Sequence, residues 1–274
     1  MKLQGKTVLI TGATDGLGKR VAQMAAEEGA DLLLHGRDPK KGDAVLAELK
    51  EAGAKGRLEF YRADLASLEE VRAMAKEILA RHPRIEVLIN NAGVGLFGGG
   101  GRQESRDGLE LHFQVNYLAP FLLTHLLLPA LRAGAPSRIV NVSSLGQAPI
   151  DFEDVQLTRN YSGMQGYCQS KLAQIMFTTD LAQRLEGSGV TVTCLHPGSF
   201  MNTNMVTGQG MTPQSRVEDG AEATFRLAFS PDVEGASGGF YNQKAPGAPH
   251  AQAADPVARK RLWDLSVELA GIGA

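Results

Sequence analysis

The chain has 274 residues, 43% of them hydrophobic and 21% charged, the make-up of an ordinary soluble globular protein. An α/β chain of this length is routinely one domain, so residues 1–274 are expected to form a single unit. With 28 basic residues against 30 acidic ones the net charge is −2, which excludes a broad basic surface for a phosphate backbone, and nucleic acid is not an expected partner.

In chain order, Thr7–Ile10 reads as a strand, followed by glycine-rich punctuation and a helix from about Leu17 to Glu28. Asp31 to His35 is a second strand and Lys41 to Ala52 a second helix. Leu58 to Arg62 is a third strand, followed by a helix over Leu68–Arg81 that Ser67 is placed to cap. Val87–Asn90, Arg138–Val142 and Val190–Leu195 continue the strand series. These runs are nearly continuously apolar, as strands buried on both faces are. Strand, helix, strand repeated in this way implies right-handed crossovers. The expected fold class is α/β: a doubly wound three-layer α/β/α sandwich around a mostly parallel sheet of about seven strands. Two stretches are irregular. Gly98 to Gly101 reads as a flexible surface loop, and the Pro/Gly/Ala-rich Ala245 to Ala254 leads to a last amphipathic helix near Pro256 to Ala270.

Cys168 and Cys194 lack metal-ligand spacing and are too few for a disulfide framework, so they read as buried thiols and no metal site is expected. The first strand signal lies close behind Met1, leaving no room for a signal peptide. The longest apolar stretch, Ala119 to Leu131, is broken by Pro120, Thr124, His125 and Pro129 and reads as a buried helix rather than a membrane span. A cytoplasmic location is expected.

Thr11-Gly12-Ala13-Thr14-Asp15-Gly16-Leu17-Gly18 sits between the first strand and the first helix, the context that makes a glycine motif credible. Gly12 permits a tight turn, Gly16 lets the backbone approach a pyrophosphate, and Gly18 lets the helix pack against the strand. Thr14, Asp15 and Leu17 complete the candidate cofactor turn, and the helix N-terminus offers N–H groups to phosphates. The spacing is GxxxGxG rather than the general GxGxxG, and a glycine-rich turn can also serve packing alone.

A carboxylate after the second strand would bind the 2′-hydroxyl of NAD. This chain has His35-Gly36-Arg37 there, and a guanidinium suits a 2′-phosphate, so NADP(H) is favoured over NAD(H); the alternative is that Arg37 is a solvated loop charge. After the third strand, Asp64-Leu65 is placed to meet an adenine amino group or, equally, to act on the following helix dipole. Asn90-Asn91-Ala92-Gly93 ends the fourth strand, where such a sheet opens its crevice. Its two amides could lock the strand ends, with Asn91, Ala92 and Gly93 facing a ribose.

Taken in this order, Thr11-Gly12-x-x-x-Gly16-x-Gly18, Asn90-Asn91-Ala92-Gly93, Asn116, Ser144, Tyr167-x-x-x-Lys171 and Pro197-Gly198 resemble the short-chain dehydrogenase/reductase family over roughly Lys6 to Phe240. Gln114 to Leu118, Arg138 to Leu145, the long gap from Ser144 to Tyr167, and Arg261 to Ser266 are similar to its retinol dehydrogenase and protochlorophyllide reductase-like branch. The chemistry stands beside the resemblance. Hydride transfer to a ketone leaves an alkoxide that must be protonated, and Tyr167 is a suitable acid if its pKa is lowered from about 10 toward neutrality. Lys171, four residues on and on the same helix face, can favour the phenolate. Ser144 could hold the substrate oxygen; Ser143, by strand alternation, faces the other way. The resemblance implies that Lys171 also binds the nicotinamide ribose, that Asn116 holds a water linking Lys171 to solvent, and that Tyr167, Pro197 and Gly198 touch cofactor. It also implies a Thr three residues beyond Gly198 plus one; Asn202 stands there, with Thr203 next, and either could meet the nicotinamide. Singly, each of these residues has an ordinary structural use: a surface Tyr–Lys pair, a turn-capping Ser, a back-bonded Asn.

The segments Leu145 to Gly166 and Ser199 to Pro213, carrying Leu145, Ile150, Met164, Phe200, Met201, Met205, Val206 and Met211, are expected to wall an apolar substrate pocket or else to pack as a lid on its own core. The reading is an NADP(H)-dependent oxidoreductase acting on a bulky lipophilic ketone, aldehyde or alcohol. Reduction of an activated C=C bond and a non-catalytic dinucleotide-sensing protein are the alternatives. The resemblance implies a homodimer or homotetramer packed through the helix bearing Tyr167 and the one that follows, lone subunits being the alternative.

Overall fold

The computed structural model describes residues 2–95 and 101–273. Apart from Gly101, the expected Gly98–Gly101 loop lies outside the described residues. The sheet among the described residues has the order β3-β2-β1-β4-β5-β6-β7-β8. Its strands are β1 (Thr7–Ile10), β2 (Asp31–Gly36), β3 (Leu58–Arg62), β4 (Val87–Asn90), β5 (Ser137–Val142), β6 (Val190–His196), β7 (Phe240–Asn242) and β8 (Ala245–Pro246). All neighbours are parallel except β7 and β8. The six strands legible as apolar runs are all present. The short β7–β8 hairpin was not legible, because three residues and two carry no pattern.

Pleat alternation divides the core. Leu9, Leu33, Leu88 and Ile139 face one apolar cluster; Val8, Ile10, Leu32, Leu34, Ile89 and Val140 face the other. The first cluster is closed by α3 (Leu68–Arg81), α4 (Ala119–Ala133), α5 (Gly163–Arg184) and α8 (Pro256–Ala270). The second is closed by α1 (Gly16–Glu27), α2 (Pro39–Glu51) and α7 (Val217–Phe229), α7 lying against α1. Helix ends follow local chemistry: Asp15, Asp38, Ser67, Ser162 and Asp255 each cap a helix with a side-chain oxygen. The apolar run Phe113–Ala133 is long enough to cross a membrane, but 78% of its most apolar 18 residues are buried inside the fold, as expected of a core helix.

Two features position the site. β1 lies between β2 and β4, so the chain's crossovers leave in opposite directions and open a crevice at the strand C-termini. The entry to α4 is wound as a π-helix over Phe113–Leu118, with the Ala119 N–H donating to the Gln114 carbonyl. Pro120 has no N–H and cannot close the α-helical bond to the Asn116 carbonyl, which gives a local reason for the wider winding.

α8 covers α5 and α4. The guanidinium of Arg184 lies 3.8 Å from the Trp263 ring centroid, Nε of Arg259 lies 2.7 Å from Asp180, and the Tyr117 hydroxyl lies 2.6 Å from Oγ of Ser266. The helix after α5, α6 (Asn204–Thr207), is a single turn. The chain's own last helix thus packs on part of α5.

Candidate active site

The glycine turn is held to the end of β4 by a reciprocal lock. Thr11 Oγ1 accepts the Asn91 and Ala92 N–H groups, each at 3.0 Å, and Asn91 Nδ2 donates to the carbonyls of Thr11 (2.8 Å) and Gly12 (3.1 Å). Asn90 Nδ2 in turn donates to Thr124 Oγ1 and to Asn141 Oδ1 at 3.0 and 2.8 Å. The lock leaves no room for side chains. A Cβ at Gly12 would come 2.8 Å from the Ala92 Cα, and one at Gly18 only 2.4 Å from the Gly12 carbonyl oxygen. Gly12 and Gly16 also take left-handed backbone, φ 65° and 49°. Asp15 caps α1 by accepting the Gly16 N–H at 2.7 Å, and Leu17 is buried beneath the turn. Thr14 packs against Gly36, where a Cβ would be 2.6 Å from its methyl.

One contributor was missed at the sequence level. His35 is buried, its Nδ1 accepting the Gly12 N–H at 3.3 Å and its Nε2 facing the Ala63 carbonyl at 3.1 Å, so the ring joins the glycine turn to the end of β3. Burial pushes its pKa down to about 4, which keeps it neutral with the proton on Nε2. A histidine inside an apolar strand was the available signal.

Arg37 is exposed immediately after β2, while the carboxylate next to it is engaged elsewhere: Asp38 Oδ1 accepts the Lys40 N–H at 2.9 Å as the cap of α2. Asp64 Oδ1 accepts the Ala66 N–H at 3.0 Å, and Oδ2 lies 3.7 Å from Arg106, so its local structural use is realised; Leu65 is buried behind it.

Across the crevice, Ser143 and Ser144 diverge as strand alternation requires. Ser143 Oγ donates to the Lys171 carbonyl at 2.8 Å, whereas Ser144 Oγ accepts the Gly146 N–H at 3.0 Å and hydrogen-bonds the Tyr167 hydroxyl. A Cβ on Gly146 would lie 3.4 Å from Ser144 Oγ and 3.8 Å from Tyr167 Cε1, which shows how closely the two side chains converge. Lys171 is buried; its Nζ donates to the Val142 carbonyl at 2.9 Å and to Gln174 Oε1 at 3.0 Å, and lies 5.6 Å from the Tyr167 ring centroid. Asn116 is buried in the π-helical turn. Its amide clamps Val94, accepting that N–H at 2.7 Å and donating to that carbonyl at 3.0 Å, and also donates to Ser170 Oγ at 3.0 Å. A Cβ on Gly93 would stand 3.1 Å from Asn116 Oδ1 and 3.7 Å from Lys171 Nζ, so the backbone after β4 runs beside both.

Burial dominates the electrostatics. It raises the Tyr167 phenol above its ordinary value, the Ser144 hydrogen bond opposing it, and it pushes Lys171 down to about 7. The lowered phenol expected from Lys171 alone is thus not what the protein's own groups produce: an ammonium turned toward Val142 and Gln174 does not offset the lost hydration of a phenolate.

The segment after β6 folds back over the glycine turn. A Cβ on Gly16 would come 2.8 Å from the Thr203 methyl, and Asn204 Nδ2 bonds Asp15. Asn202 is exposed, and Thr203 stands against the glycine turn. Pro197 and Gly198 lead into this segment, and His196 before them faces Ser199 Oγ at 3.2 Å. Of the expected pocket walls, Ile150 and Val206 are instead core residues at 3% and 5% exposure. Leu145, Met164 and Phe200 remain open at 46%, 49% and 39%, Phe200 with a left-handed φ of 43° that is strained for so large a side chain.

The profile of the short chain dehydrogenase family matches residues 6–213. Retinol dehydrogenase 11 of Homo sapiens is 38% identical over 99% of this chain and 88% of its own. An uncharacterized protein from Mycobacterium paratuberculosis, known by crystal structure, superposes with TM-score 0.80 at 31% identity over 98% of this chain and 95% of its own. A metagenomic short-chain oxidoreductase crystallised in complex with NADP gives TM-score 0.69 at 29% identity, over 90% of this chain and 99% of its own.

Proposed function

The chain belongs to the short-chain dehydrogenase/reductase family, in its retinol dehydrogenase-like branch, and from that premise we propose that this oxidoreductase uses NADP(H) to interconvert a bulky lipophilic alcohol and its carbonyl. The observation that carries the reading is the convergence of Ser144 and Tyr167 hydroxyls on one side of a crevice whose floor is a glycine turn too tight for any Cβ.

The residues fit a dinucleotide. Gly18 lets α1 pack against the turn, and Gly12 and Gly16 keep side chains off the approach to the N-terminus of α1, where N–H groups and the helix dipole favour a pyrophosphate. Arg37 suits a 2′-phosphate, and Asp38 beside it is turned into the cap of α2. Asp64, Leu65, Asn91, Ala92 and Gly93 would meet the cofactor from one side, and Pro197, Gly198 and Thr203 from the other. NADP in complex with a 29% identical oxidoreductase of this fold supports the same preference. The bound nicotinamide would supply the hydride.

The chain's own groups handle the proton. The Ser144 hydroxyl orients the substrate oxygen, and Tyr167 gives its phenolic proton to the developing alkoxide. Lys171, held near neutrality, is able to release or regain a proton around physiological pH and to stabilise the phenolate when charged. Because the Asn116 amide is occupied by Val94 and Ser170, the water relay that the resemblance implies would use its main-chain carbonyl, which Pro120 cannot bond. The open Leu145, Met164 and Phe200 favour an apolar substrate. The name of the 38% identical relative, a retinol dehydrogenase, supports that class.

Tyr167→Phe tests the reading. Loss of NADPH absorbance with lipophilic aldehydes and ketones should fall by about 10²–10⁴-fold, while NADPH binding, followed by its own fluorescence, stays within a few-fold. Product that has lost a C=C rather than a C=O, or an unchanged rate in Tyr167→Phe, would count against it.

A further inference from the structure

Two buried ionisable residues take no part in the chemistry above. Glu110 and His112 precede the π-helical turn and are 1% and 0% exposed. Oε1 of Glu110 lies 2.7 Å from Nδ1 of His112, Oε2 accepts the Phe113 N–H at 2.7 Å, and the Glu110 N–H donates to Gln156 Oε1 at 2.7 Å. A carboxylate oxygen accepts, so the Nδ1 edge is the one held to Glu110 and the imidazole is fixed in one orientation. Its ring meets that of Tyr167 edge to face, with centroids 6.4 Å apart and planes at 86°. Gly166, the residue before Tyr167, makes the approach possible, because a Cβ there would come 3.0 Å from both Glu110 Oε1 and His112 Nδ1.

We propose that Glu110 and His112 form a positioning dyad for Tyr167: the carboxylate fixes the imidazole, and the imidazole packs against the phenol and fixes where that side chain stands, so that its hydroxyl stays directed at Ser144. Capping of Phe113 accounts for one carboxylate oxygen. The other holds the His112 imidazole, whose ring packs edge to face with that of Tyr167. Gln156 ties the dyad to the segment expected to border substrate. The inference rests on the reading of Tyr167 as the proton donor and adds to it what holds that donor in place.

The test uses protein labelled with ¹³C at the tyrosine ring, with NADPH bound. The signal that disappears in Tyr167→Phe identifies Tyr167. His112→Ala and Glu110→Gln should each displace that signal and leave the other tyrosines in place. Both should lower kcat about 10- to 100-fold, the scale of a small misplacement of a reacting group, with the NADPH Kd within twofold. The double variant Glu110→Gln/His112→Phe keeps an acceptor for the Phe113 N–H and restores an aromatic edge, and should recover most of kcat. A Tyr167 signal unmoved in Glu110→Gln, a fall in kcat matched by an equal loss of NADPH binding, or a double variant no faster than His112→Ala overturns the dyad. The ring signal needs no turnover, so a fully active Tyr167→Phe would remove the chemical reading while the positioning claim is still decided on its own.

Discussion

Tyr167 and Lys171 show why side-chain identity alone does not fix a titration. The pair stands four residues apart on α5, yet burial raises one group and lowers the other, toward the neutral form in both cases. The charged state that proton transfer needs is therefore one the crevice has to be helped into, by substrate or by cofactor charge. Arg37 poses a simpler residue-scale question, because it is the exposed cation at the end of β2 and its acidic neighbour is turned into a helix cap. Arg37→Asp should weaken NADPH binding by roughly 10–100-fold, the loss of a charge-assisted contact of about 1.5–3 kcal/mol, and should leave NADH unchanged or better bound. Equal losses for the two dinucleotides in a fluorescence titration would assign Arg37 to the solvated surface.

Among elements, α5 carries the greatest load: it bears Tyr167 and Lys171, bonds the Val142 carbonyl of β5 through Lys171, and is roofed by α8. The Arg184 guanidinium on Trp263, with Phe121 and Phe177 packed at 5.3 and 6.1 Å from that indole, makes α8 part of the core rather than an appendage. Trp263→Ala should cost about 3–5 kcal/mol of unfolding free energy, read as a lower urea midpoint. With the roof in place the protein is expected to run as a monomer in light scattering. A dimer that dissociates in Trp263→Ala would show that the covered face is an interface after all. The π-helical turn is the other element with consequences. Its local cause, Pro120, was visible in the sequence as a break in an apolar run, but its effect on Asn116 was not, since a helical period of 3.6 and a wider turn give the same residue pattern over six positions.

At the scale of the whole molecule, acid should unfold the protein through its buried histidines. His35 has a folded pKa near 4 against about 6.5 unfolded, and His196 is pushed the same way by burial and by Lys171. The unfolded chain binds more protons between those values, so stability is intact above pH 6.5 and is lost as pH falls toward 4, by up to about 3 kcal/mol for a fully buried site. Urea midpoints at pH 7 and pH 4.5 check this. His35→Gln, whose amide can accept from Gly12 and donate to Ala63 without titrating, should flatten part of the slope.

The six apolar strands, the glycine turn and the order of the functional motifs were legible from residues 7 to 198 because burial on both faces, left-handed backbone and close backbone approach each demand a particular residue type in place. Sequence alone thus determined the parallel α/β frame and the set of groups at its crevice. Only the tertiary structure decided which of those groups meet. It set Ile150 and Val206 into the core, laid Thr203 against the glycine turn, and added His35, Glu110 and His112, whose partners lie on other elements. The reason is physical: periodicity records which face of an element is apolar, whereas a hydrogen bond between a β-strand and a distant turn leaves no period in either segment.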